Sequence, residues 1–466
     1  MRYWIVACLL LLAGVVGMSI LSGRLSPLQP GSERPLHLFV ACYAVSWVGY
    51  VVAYRLSVCN PRQVPIWLIV FVALIARLIF LPSELLQSDD CYRYVLDGQS
   101  LLAGINPYAY TPELIQASFP PELIGDHMPE ARRVIEHVNN AHVPTIYPPL
   151  ALAVFAAGAS LTPWQIEGQR WMFLLCDLAT MALLAGLLRR FNKPLAWLAV
   201  YAWNPLVIKE ISNSAHLDSL VALWLIVLVA VLVGSRTSPE SQPVSSIGRA
   251  ALVGLAVGGA ILAKLYPMLL LPCCAAYIAR GRRAFVKLAV MALTAGGLVS
   301  ACYWPFMDVG IDGVTAGLQT YSEHWVNNPG AFAVMETLFN RPRAVCGAIV
   351  VIVALLAAWR LWRSRRGPDD LVLCVQTSLL CWFLLSPACF PWYAVGLVAL
   401  CVLRPRGWCV VLTGALGIFY LLPHVDYQGW PENWQLALQL LEHGVIWTSL
   451  AAAVLRRVPA IEHAPR

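Results

Sequence analysis

Two adjacent carboxylates, Asp89 and Asp90, stand directly after a long apolar segment of the chain. Ser88 or Asp89 is suited to cap a helix that begins here, and Asp90 falls in its first turn, where the helix dipole favours an anion. A carboxylate is also a side chain that takes a proton from a reacting hydroxyl, and repulsion between two close carboxylates raises the pKa of one of them. The stretch is therefore either a helix cap or a site for acid–base chemistry.

The composition excludes a soluble globular protein. Of the 466 residues, 59% are hydrophobic and 12% are charged, and the mean hydropathy is +0.68. The net charge of +7 comes from basic residues in short loops beside apolar segments, so it indicates membrane topology, and we expect no nucleic-acid partner. The 14 cysteines are scattered without metal-ligand spacing, so no cysteine-based metal site is predicted.

Apolar stretches long enough for helices recur along the whole chain and predict an all-α polytopic membrane protein with about 13–15 transmembrane helices. The segment 149–161 follows two prolines and has only about a dozen apolar residues, which favours a re-entrant helix. If this segment does not cross, the basic residues of the short loops share one side, which the positive-inside rule makes the cytoplasm. These residues are Arg55, Arg62, Arg189, Arg190, Lys193, Arg236, Arg249, Arg280, Arg282, Arg283, Arg360 to Arg366, Arg404, Arg406, Arg456 and Arg457.

This topology divides the chain into three parts. Residues 1–82 form N-terminal transmembrane helices, and residues 83–148 form a large outer loop that carries the acidic motif and short amphipathic helices. Residues 149–466 form a transmembrane bundle, and its further outer loops are predicted at 305–343, 387–393 and 423–434. The polar loops of all three parts thus converge on one face of the membrane.

The chain resembles the multi-spanning GT-C glycosyltransferases, which use a lipid-phosphate-linked sugar, and especially the bacterial polyprenyl-phosphate-mannose-dependent mannosyltransferases. The resemblance lies in the run Asp-Asp-x-Tyr-Arg-Tyr-x-x-Asp-Gly at 89–98, in Asn-Pro-Tyr at 106–108 and in Tyr-Pro-Pro-Leu at 147–150, and later matches extend it to Tyr393. It implies a GT-C-type helical bundle whose active site faces the periplasm or exterior of a bacterial inner membrane. It also implies transfer of a hexose, with mannose favoured, from a polyprenyl-phosphate donor to a glycan, lipid or protein acceptor.

The resemblance implies a role for several residues. Asp90 is the expected catalytic base, and Asp89 orients it or caps the helix. The expected ligands of the donor phosphate are Arg93, Lys264, Arg77 and Tyr266. For Arg77 the alternative is that its side chain extends to the membrane interface, and for Lys264 the alternative is that it lies in the turn of a helical hairpin without binding phosphate. The expected sugar or acceptor contacts are Asp97, Asn106, Tyr108, Tyr147, His216, Asp218, Tyr321, His324, Trp325, Asn328, Trp392 and Tyr393, although Asp218 also suits a helix cap and the last two suit an interfacial belt.

Two questions stay open at this point. An Asp-Asp pair is able to bind Mg²⁺ or Mn²⁺, but no full ligand set is visible, so no cofactor is certain and no metal ligand is assigned. Intramembrane charges and broken helices also occur in transporters, so a lipid-linked-glycan flippase is an alternative function, as is an O-antigen polymerase or ligase.

Overall fold

The computed structural model describes residues 1–26, 34–61, 64–234, 246–279, 283–364, 367–427, 430–431 and 433–455, and within these the chain is helical, with one isolated β-bridge between Asn327 and Ala388. The predicted all-α membrane fold is confirmed. Of the predicted basic loop residues, eight lie outside the described residues, as do positions 428, 429 and 432 of the last predicted outer loop; the eight are Arg62, Arg236, Arg280, Arg282, Arg365, Arg366, Arg456 and Arg457.

Three apolar helices come first: α1 (Arg2–Leu25), α2 (Leu36–Cys59) and α3 (Ile66–Phe80). The large loop that follows carries four short helices, as predicted: α4 (Asp90–Leu102), α5 (Pro112–Ser118), α6 (Pro121–Ile124) and α7 (Met128–Glu136). The rest of the chain forms α8 (Pro149–Leu161), α9 (Glu167–Arg190), α10 (Ala199–Ala202), α11 (Pro205–Ile208), α12 (Asp218–Val233), α13 (Ile247–Ala263), α14 (Leu271–Ile278), α15 (Ala284–Tyr303), α16 (Gly310–His324), α17 (Gly330–Leu338), α18 (Pro342–Arg363), α19 (Pro368–Leu385), α20 (Val395–Leu403), α21 (Gly407–Ala415), α22 (Pro423–Tyr427) and α23 (Asn433–Leu455).

By length and composition, eight helical segments within the described residues are able to cross a membrane, or nine if one bent pair counts as a single span. Five apolar helices are shorter: Ile66–Phe80, Pro149–Leu161, Ile247–Ala263, Tyr266–Ile278 and Pro391–Leu403. The predicted total of about 13–15 therefore requires these short helices to cross as well. The segment predicted to be re-entrant, α8, has 13 residues and is about 20 Å long, shorter than the ~30 Å hydrocarbon core.

The bent pair explains how polar residues reach the interior of the bundle. Asn204 caps α11 by accepting hydrogen bonds from the backbone N–H groups of Leu206 and Val207 at 3.0 and 3.3 Å, and a π-helical turn at Lys209–Asn213 follows. The chain then turns through 119° before α12 begins at Asp218. A break of this kind leaves backbone and polar side chains facing inward, as broken helices do at ligand sites.

Helix α9 separates two groups of loops. Near its start, Arg170 donates to the carbonyl oxygens of Leu81 and Asn213 at 2.7 and 2.9 Å, and its end at Arg190 leads to Lys193, which donates to the Leu403 carbonyl at 2.6 Å. A helix of 24 residues is about 36 Å long. The loops predicted to be cytoplasmic and those predicted to be external thus lie about one membrane thickness apart.

Helix α4 packs closely against α8. It ends where Gly104 adopts φ +73°, and the Ile105 N–H bonds back to the Ser100 carbonyl at 2.8 Å. Gly98 faces α8 so closely that an added Cβ would lie 2.5 Å from the backbone oxygen of Phe155. Because α4 begins at Asp90, this contact sets the position of both carboxylates.

We therefore expect Gly98→Ala to separate α4 from α8 at a cost of about 1–3 kcal/mol, as overpacking does. The variant should melt at a lower temperature than the wild-type protein. Gly186→Ala is the matched control, because Gly186 is an exposed position of α9 and nothing lies within 4 Å of the added Cβ. Equal melting temperatures for the two variants, measured in detergent, would contradict this account of the packing.

Candidate active site

The predicted outer loops meet around one polar cavity of about 260 Å³. Its walls come from the loop before α4, the segment after α7, the bend before α12, the break after α13 and the segments around 325 and 392. The residues that line it are Gln87, Ser88, Asp89, Asp90, Arg93, Tyr94, Asn139, Asn140, Val143, Pro144, Ile146, Tyr147, Leu217, Lys264, Tyr321, Trp325, Asn327, Phe390, Trp392, Tyr393, Phe419 and Pro423. The convergence inferred from charge and hydropathy is therefore present in the fold.

One amide holds the two adjacent carboxylates together. The side chain of Asn139 donates to Asp89 Oδ1 at 2.7 Å and to Asp90 Oδ1 at 2.9 Å. Asp89 occupies the N-cap position of α4, but its side chain makes no capping hydrogen bond, so the simple cap interpretation does not hold for it. Sequence reasoning missed Asn139, and the only signal was the Asn139-Asn140 doublet in a polar loop.

The carboxylates differ in environment. Burial, and secondarily the neighbouring charge of Asp90, raise the pKa of Asp89 to about 6, so the expected repulsion contributes but burial dominates. The Asp90 side chain keeps 26% of its surface exposed, and its Oδ2 lies 3.8 Å from Nδ1 of His216. Asp90 is thus the carboxylate that a molecule in the cavity reaches more easily.

His216 lies behind Asp90 and does not line the cavity. It is fully buried and stacks on Trp392 with ring centroids 4.0 Å apart, and its Nε2 lies 3.1 Å from Glu210 Oε2. Its Nε2 also lies 3.3 Å from the Ser88 hydroxyl, and Glu210 Oε2 has no hydrogen-bond partner in the structure. The structure therefore places His216 as a neighbour of Asp90, not as the predicted contact to sugar or acceptor.

Lys264 also lines the cavity, at the break between α13 and the following 3₁₀ turn. Its Nζ lies 2.9 and 3.1 Å from the two carboxylate oxygens of Asp218 and 3.8 Å from the centre of the Tyr393 ring. Asp218 itself is buried and does not line the cavity, so it acts on Lys264 and not on the sugar. Its predicted sugar contact is not supported by this placement.

A second cavity, of about 470 Å³ and mostly apolar, adjoins the first. The two share Ile146, Tyr147, Lys264, Tyr321 and Tyr393, and the other residues that line the second are Pro148, Leu265, Tyr266, Met268, Leu269, Leu318, Ser322, Phe332, Arg343, Cys346, Gly347, Val350, Val351, Trp382, Leu385, Ser386 and Pro387. The predicted residue Tyr266 thus lies in the apolar cavity, where its ring stacks on Trp382 at 4.0 Å. Lys264 lies in the wall that the polar and the apolar cavity share.

Arg77 is far from both cavities, which contradicts its predicted phosphate role. Its guanidinium is fully buried, bonds the carboxylate of Asp177 and donates to the Ala202 carbonyl at 2.8 Å. The alternative of snorkelling is equally wrong, because no part of the side chain is exposed. A buried arginine in this position pairs two helices, and its guanidinium lines neither cavity.

Three other predicted contacts are structural. Asp97 is buried and binds Arg93 at 2.9 Å and the Thr145 hydroxyl at 2.5 Å, so it orients the arginine that does line the cavity. Asn106 donates to Asp308 at 2.5 Å, and the Tyr108 hydroxyl donates to the Tyr147 carbonyl at 2.7 Å, which fastens the outer loop to its neighbours. Neither of these two residues lines a cavity.

The predicted loop 321–328 is divided in the structure. Tyr321 and Trp325 line the polar cavity together with Asn327, which sequence reasoning missed. His324 is exposed and bonds the Thr320 carbonyl at 3.1 Å, and Asn328 is buried outside the cavity. The expected sugar contacts at His324 and Asn328 are therefore not brought to the site.

Gln87 is a further residue that the sequence did not indicate. It lines the polar cavity in a left-handed conformation with φ +61°, which is uncommon outside glycine. Its Nε2 lies 3.3 Å from His424 Nε2, while its Oε1 is buried without a protein hydrogen-bond partner.

A search for metal sites found no group of three or more His, Cys, Asp or Glu residues suited to a metal ion among the described residues. Both carboxylates at 89 and 90 bind the Asn139 amide in this structure. A Mg²⁺ or Mn²⁺ ion at the pair stays a prediction.

The sequence model of glycosyltransferase family 87 matches residues 145–387, more than half of the chain. The chain belongs to glycosyltransferase family 87. The match covers Tyr147, His216, Lys264 and Tyr321 but neither the carboxylate pair nor α23. Membership of this family confirms the predicted resemblance to GT-C membrane glycosyltransferases, and it favours a transferase over a flippase.

Two further comparisons complete the picture of this family 87 protein. Its fold is similar to the crystal structure of ArnT from Cupriavidus metallidurans in the apo state, at 15% identity over 84% of this chain and 76% of that chain, with a TM-score of 0.45. The comparison with curated proteins gave no match.

The environment of Asp89 predicts a pH dependence. A raised pKa means that Asp89 gains a proton as the pH falls through about 6, and the Asn139 hydrogen bond lowers that pKa. We expect kcat/KM for glycosyl transfer to fall below about pH 6, and Asn139→Ala to move this limb to higher pH. Asn327→Ala is the control, since it removes a cavity amide that has no hydrogen bond to either carboxylate. If the acidic limb of the kcat/KM profile stays at the same pH in Asn139→Ala, the group that titrates is not a member of the carboxylate pair.

Proposed function

We propose that the protein transfers a hexose from a polyprenyl-phosphate donor to a glycan, lipid or protein acceptor. The observation that carries the proposal is the pair of adjoining cavities, one polar with two carboxylates and one apolar, with Lys264 in their common wall. A polyprenyl-phosphate sugar has the same division, because its sugar is polar, its tail is apolar and its phosphate joins them. Mannose is favoured only by the resemblance to mannosyltransferases.

The distribution of charge supports a phosphate site at the boundary of the cavities. Three cations line them, and two have a carboxylate partner: Arg93 binds Asp97, and Lys264 binds Asp218. The third, Arg343, donates to the backbone oxygens of Ser322 and Trp325 at 2.6 and 3.2 Å, which leaves three of its five N–H groups for a ligand. We assign the donor phosphate to Lys264 and Arg343, so Arg343 joins the residues predicted from the sequence.

The reaction then follows from the positions of these groups. The acceptor hydroxyl loses its proton to Asp90 as its oxygen attacks the anomeric carbon, while Asn139 holds the carboxylate in place. The bond between that carbon and the phosphate oxygen breaks, and polyprenyl phosphate leaves with the electron pair. Lys264 and Arg343 stabilise the charge that develops on the phosphate.

Aromatic side chains in the polar cavity suit a sugar ring. Tyr321 and Trp325 lie with ring centroids 5.3 Å apart, and the Tyr321 hydroxyl is 2.8 Å from that of Tyr393. Trp392 covers His216 and also faces the cavity. Rings of this kind stack on the apolar face of a hexose, while polar side chains that line the cavity hydrogen-bond its hydroxyls.

We place the protein in a bacterial inner membrane with the polar cavity facing the periplasm. The positive-inside rule supports this orientation, because Arg189, Arg190, Lys193, Arg404 and Arg406 belong to the group of loops away from the cavity. The donor would then enter laterally from the bilayer through the apolar cavity.

The phosphate assignment predicts separable effects on donor binding. Lys264→Ala and Arg343→Gln should each raise the Kd of polyprenyl phosphate about tenfold or more, the loss expected for a hydrogen bond to a charged group, and Lys264→Arg should lose less. Binding of the uncharged polyprenol should change little. Arg341→Gln is the control for general charge, since Arg341 is exposed and lines neither cavity. Equal losses for phosphate and polyprenol, by thermophoresis in nanodiscs, would contradict the assignment.

Asp90→Asn tests the catalytic base. The amide keeps an oxygen that can accept from Asn139, so folding and donor binding should survive while kcat falls about 10²-fold or more. Asp89→Asn should cost less, because Asp89 is the more buried carboxylate and only orients its neighbour. Turnover is measured with purified polyprenyl-phosphate hexose in detergent, beside the melting temperature of each variant. Near-normal turnover by Asp90→Asn would remove the proposed mechanism.

A further inference from the structure

Asn328 binds two residues of the last helix, α23, although the sequence analysis found no motif there. Its Nδ2 donates to Glu442 Oε1 at 2.7 Å and to the Cys389 carbonyl at 3.3 Å, and its Oδ1 lies 3.1 Å from His443 Nε2. Both N–H groups and the carbonyl of the amide therefore have partners, and only 1% of Asn328 is exposed. The residue connects parts of the protein and has no polar group left for a ligand.

The connection joins two walls of the polar cavity. Next to Asn328, the backbone of Asn327 receives a hydrogen bond from the Cys389 N–H at 3.2 Å and donates to the Pro387 carbonyl at 2.9 Å. The segment on one side of this β-bridge leads to Trp325, and the segment on the other side leads to Trp392. Both of these rings line the polar cavity. The separation of the two aromatic walls is therefore set directly behind them, at Asn328.

Glu442 is an unusual residue for its position. It is fully buried on a helix that is long and apolar enough to cross a membrane, where an ionisable side chain is costly. Its Oε2 has no protein hydrogen-bond partner, so the amide of Asn328 is the contact that it makes through Oε1. His443 packs against Gly330, where an added Cβ would lie 2.6 Å from the imidazole ring, so α23 holds the same segment at two points.

We propose that Glu442 and His443 are positioning residues of the active site, and that α23 sets the width of the polar cavity through Asn328. The inference rests on the proposed function, since it concerns recognition of the sugar on the donor. It extends the site to α23, which lies outside the family match at residues 145–387. It also explains why Asn328, expected as a sugar contact, is buried: it holds the walls that make those contacts.

The proposal predicts a loss that depends on the sugar. In Glu442→Ala the Asn328 amide loses an acceptor in a buried position, and the wall carrying Trp325 and Asn327 is free to shift. We expect the Kd of polyprenyl-phosphate hexose to rise about tenfold, while the Kd of sugar-free polyprenyl phosphate stays within about twofold. The measurement compares the two ligands for each variant in nanodiscs.

Three variants separate positioning from a merely structural role. Glu442→Gln keeps the oxygen that accepts from Asn328, so it should restore sugar-dependent binding. Glu442→Ala should add nothing in an Asn328→Ala background, because the two residues act through one contact. Gln435→Ala, exposed on the same helix, should behave as wild type.

The outcomes distinguish this inference from the function on which it rests. If Glu442→Ala weakens both ligands equally together with a lower melting temperature, or weakens neither, α23 does not position the cavity wall, and the transferase proposal stands. If the wild-type protein binds sugar-bearing and sugar-free donor with equal affinity, or binds neither, the donor assignment itself fails and this inference fails with it.

Discussion

A charge buried in an apolar bundle needs a partner, and this requirement arranges most of the polar residues of the chain. Within the described residues, buried ion pairs join Arg77 to Asp177, Arg93 to Asp97 and Lys209 to Glu210, and the half-buried Lys264 pairs with the buried Asp218. Removing one member of such a pair leaves a charge in a low-dielectric environment, at a cost of roughly 3–5 kcal/mol. The Arg77–Asp177 pair joins α3 to α9, and the Lys264–Asp218 pair joins the break after α13 to α12, whereas Lys209 and Glu210 are neighbours in one turn. Arg343 differs from these cations because it donates to backbone oxygens.

Broken helices bring these groups to one place. The π-helical turn and the 119° bend after it place Glu210 and His216 behind Asp90, away from the polar cavity. The break after α13 places Lys264 in the wall of that cavity. An unbroken helix would keep its polar side chains spread along a membrane thickness. The breaks instead concentrate them in a polar cavity and leave an apolar cavity beside it, and this division matches an amphipathic donor.

Packing gives the two adjacent carboxylates different environments. Asp89 and Asp90 share the Asn139 amide, yet burial raises the pKa of Asp89 while Asp90 keeps a face toward the cavity. The close contact of Gly98 with α8 sets where both stand. The position of the two carboxylates thus depends on a helix contact about two turns away along α4.

The sequence by itself determined the membrane class and the helical fold, and it predicted which loops share a face, because hydropathy, proline breaks and the distribution of arginines are properties of local segments. It also indicated Asp89, Asp90, Lys264, Tyr321 and Trp325, whose residue types are unusual beside apolar segments. Only the tertiary structure decided which of the polar residues reach the cavity. Arg77 and Asn328 were expected in the site but bond to protein groups outside it. Asn139 and Gln87 were not expected and line the polar cavity, and Arg343 was not expected and lines the apolar cavity. The reason is physical: whether a polar group is free for a ligand depends on partners that lie 100 or more residues away, as for Arg77 with Asp177 and Asn328 with Glu442, and no local pattern encodes that pairing.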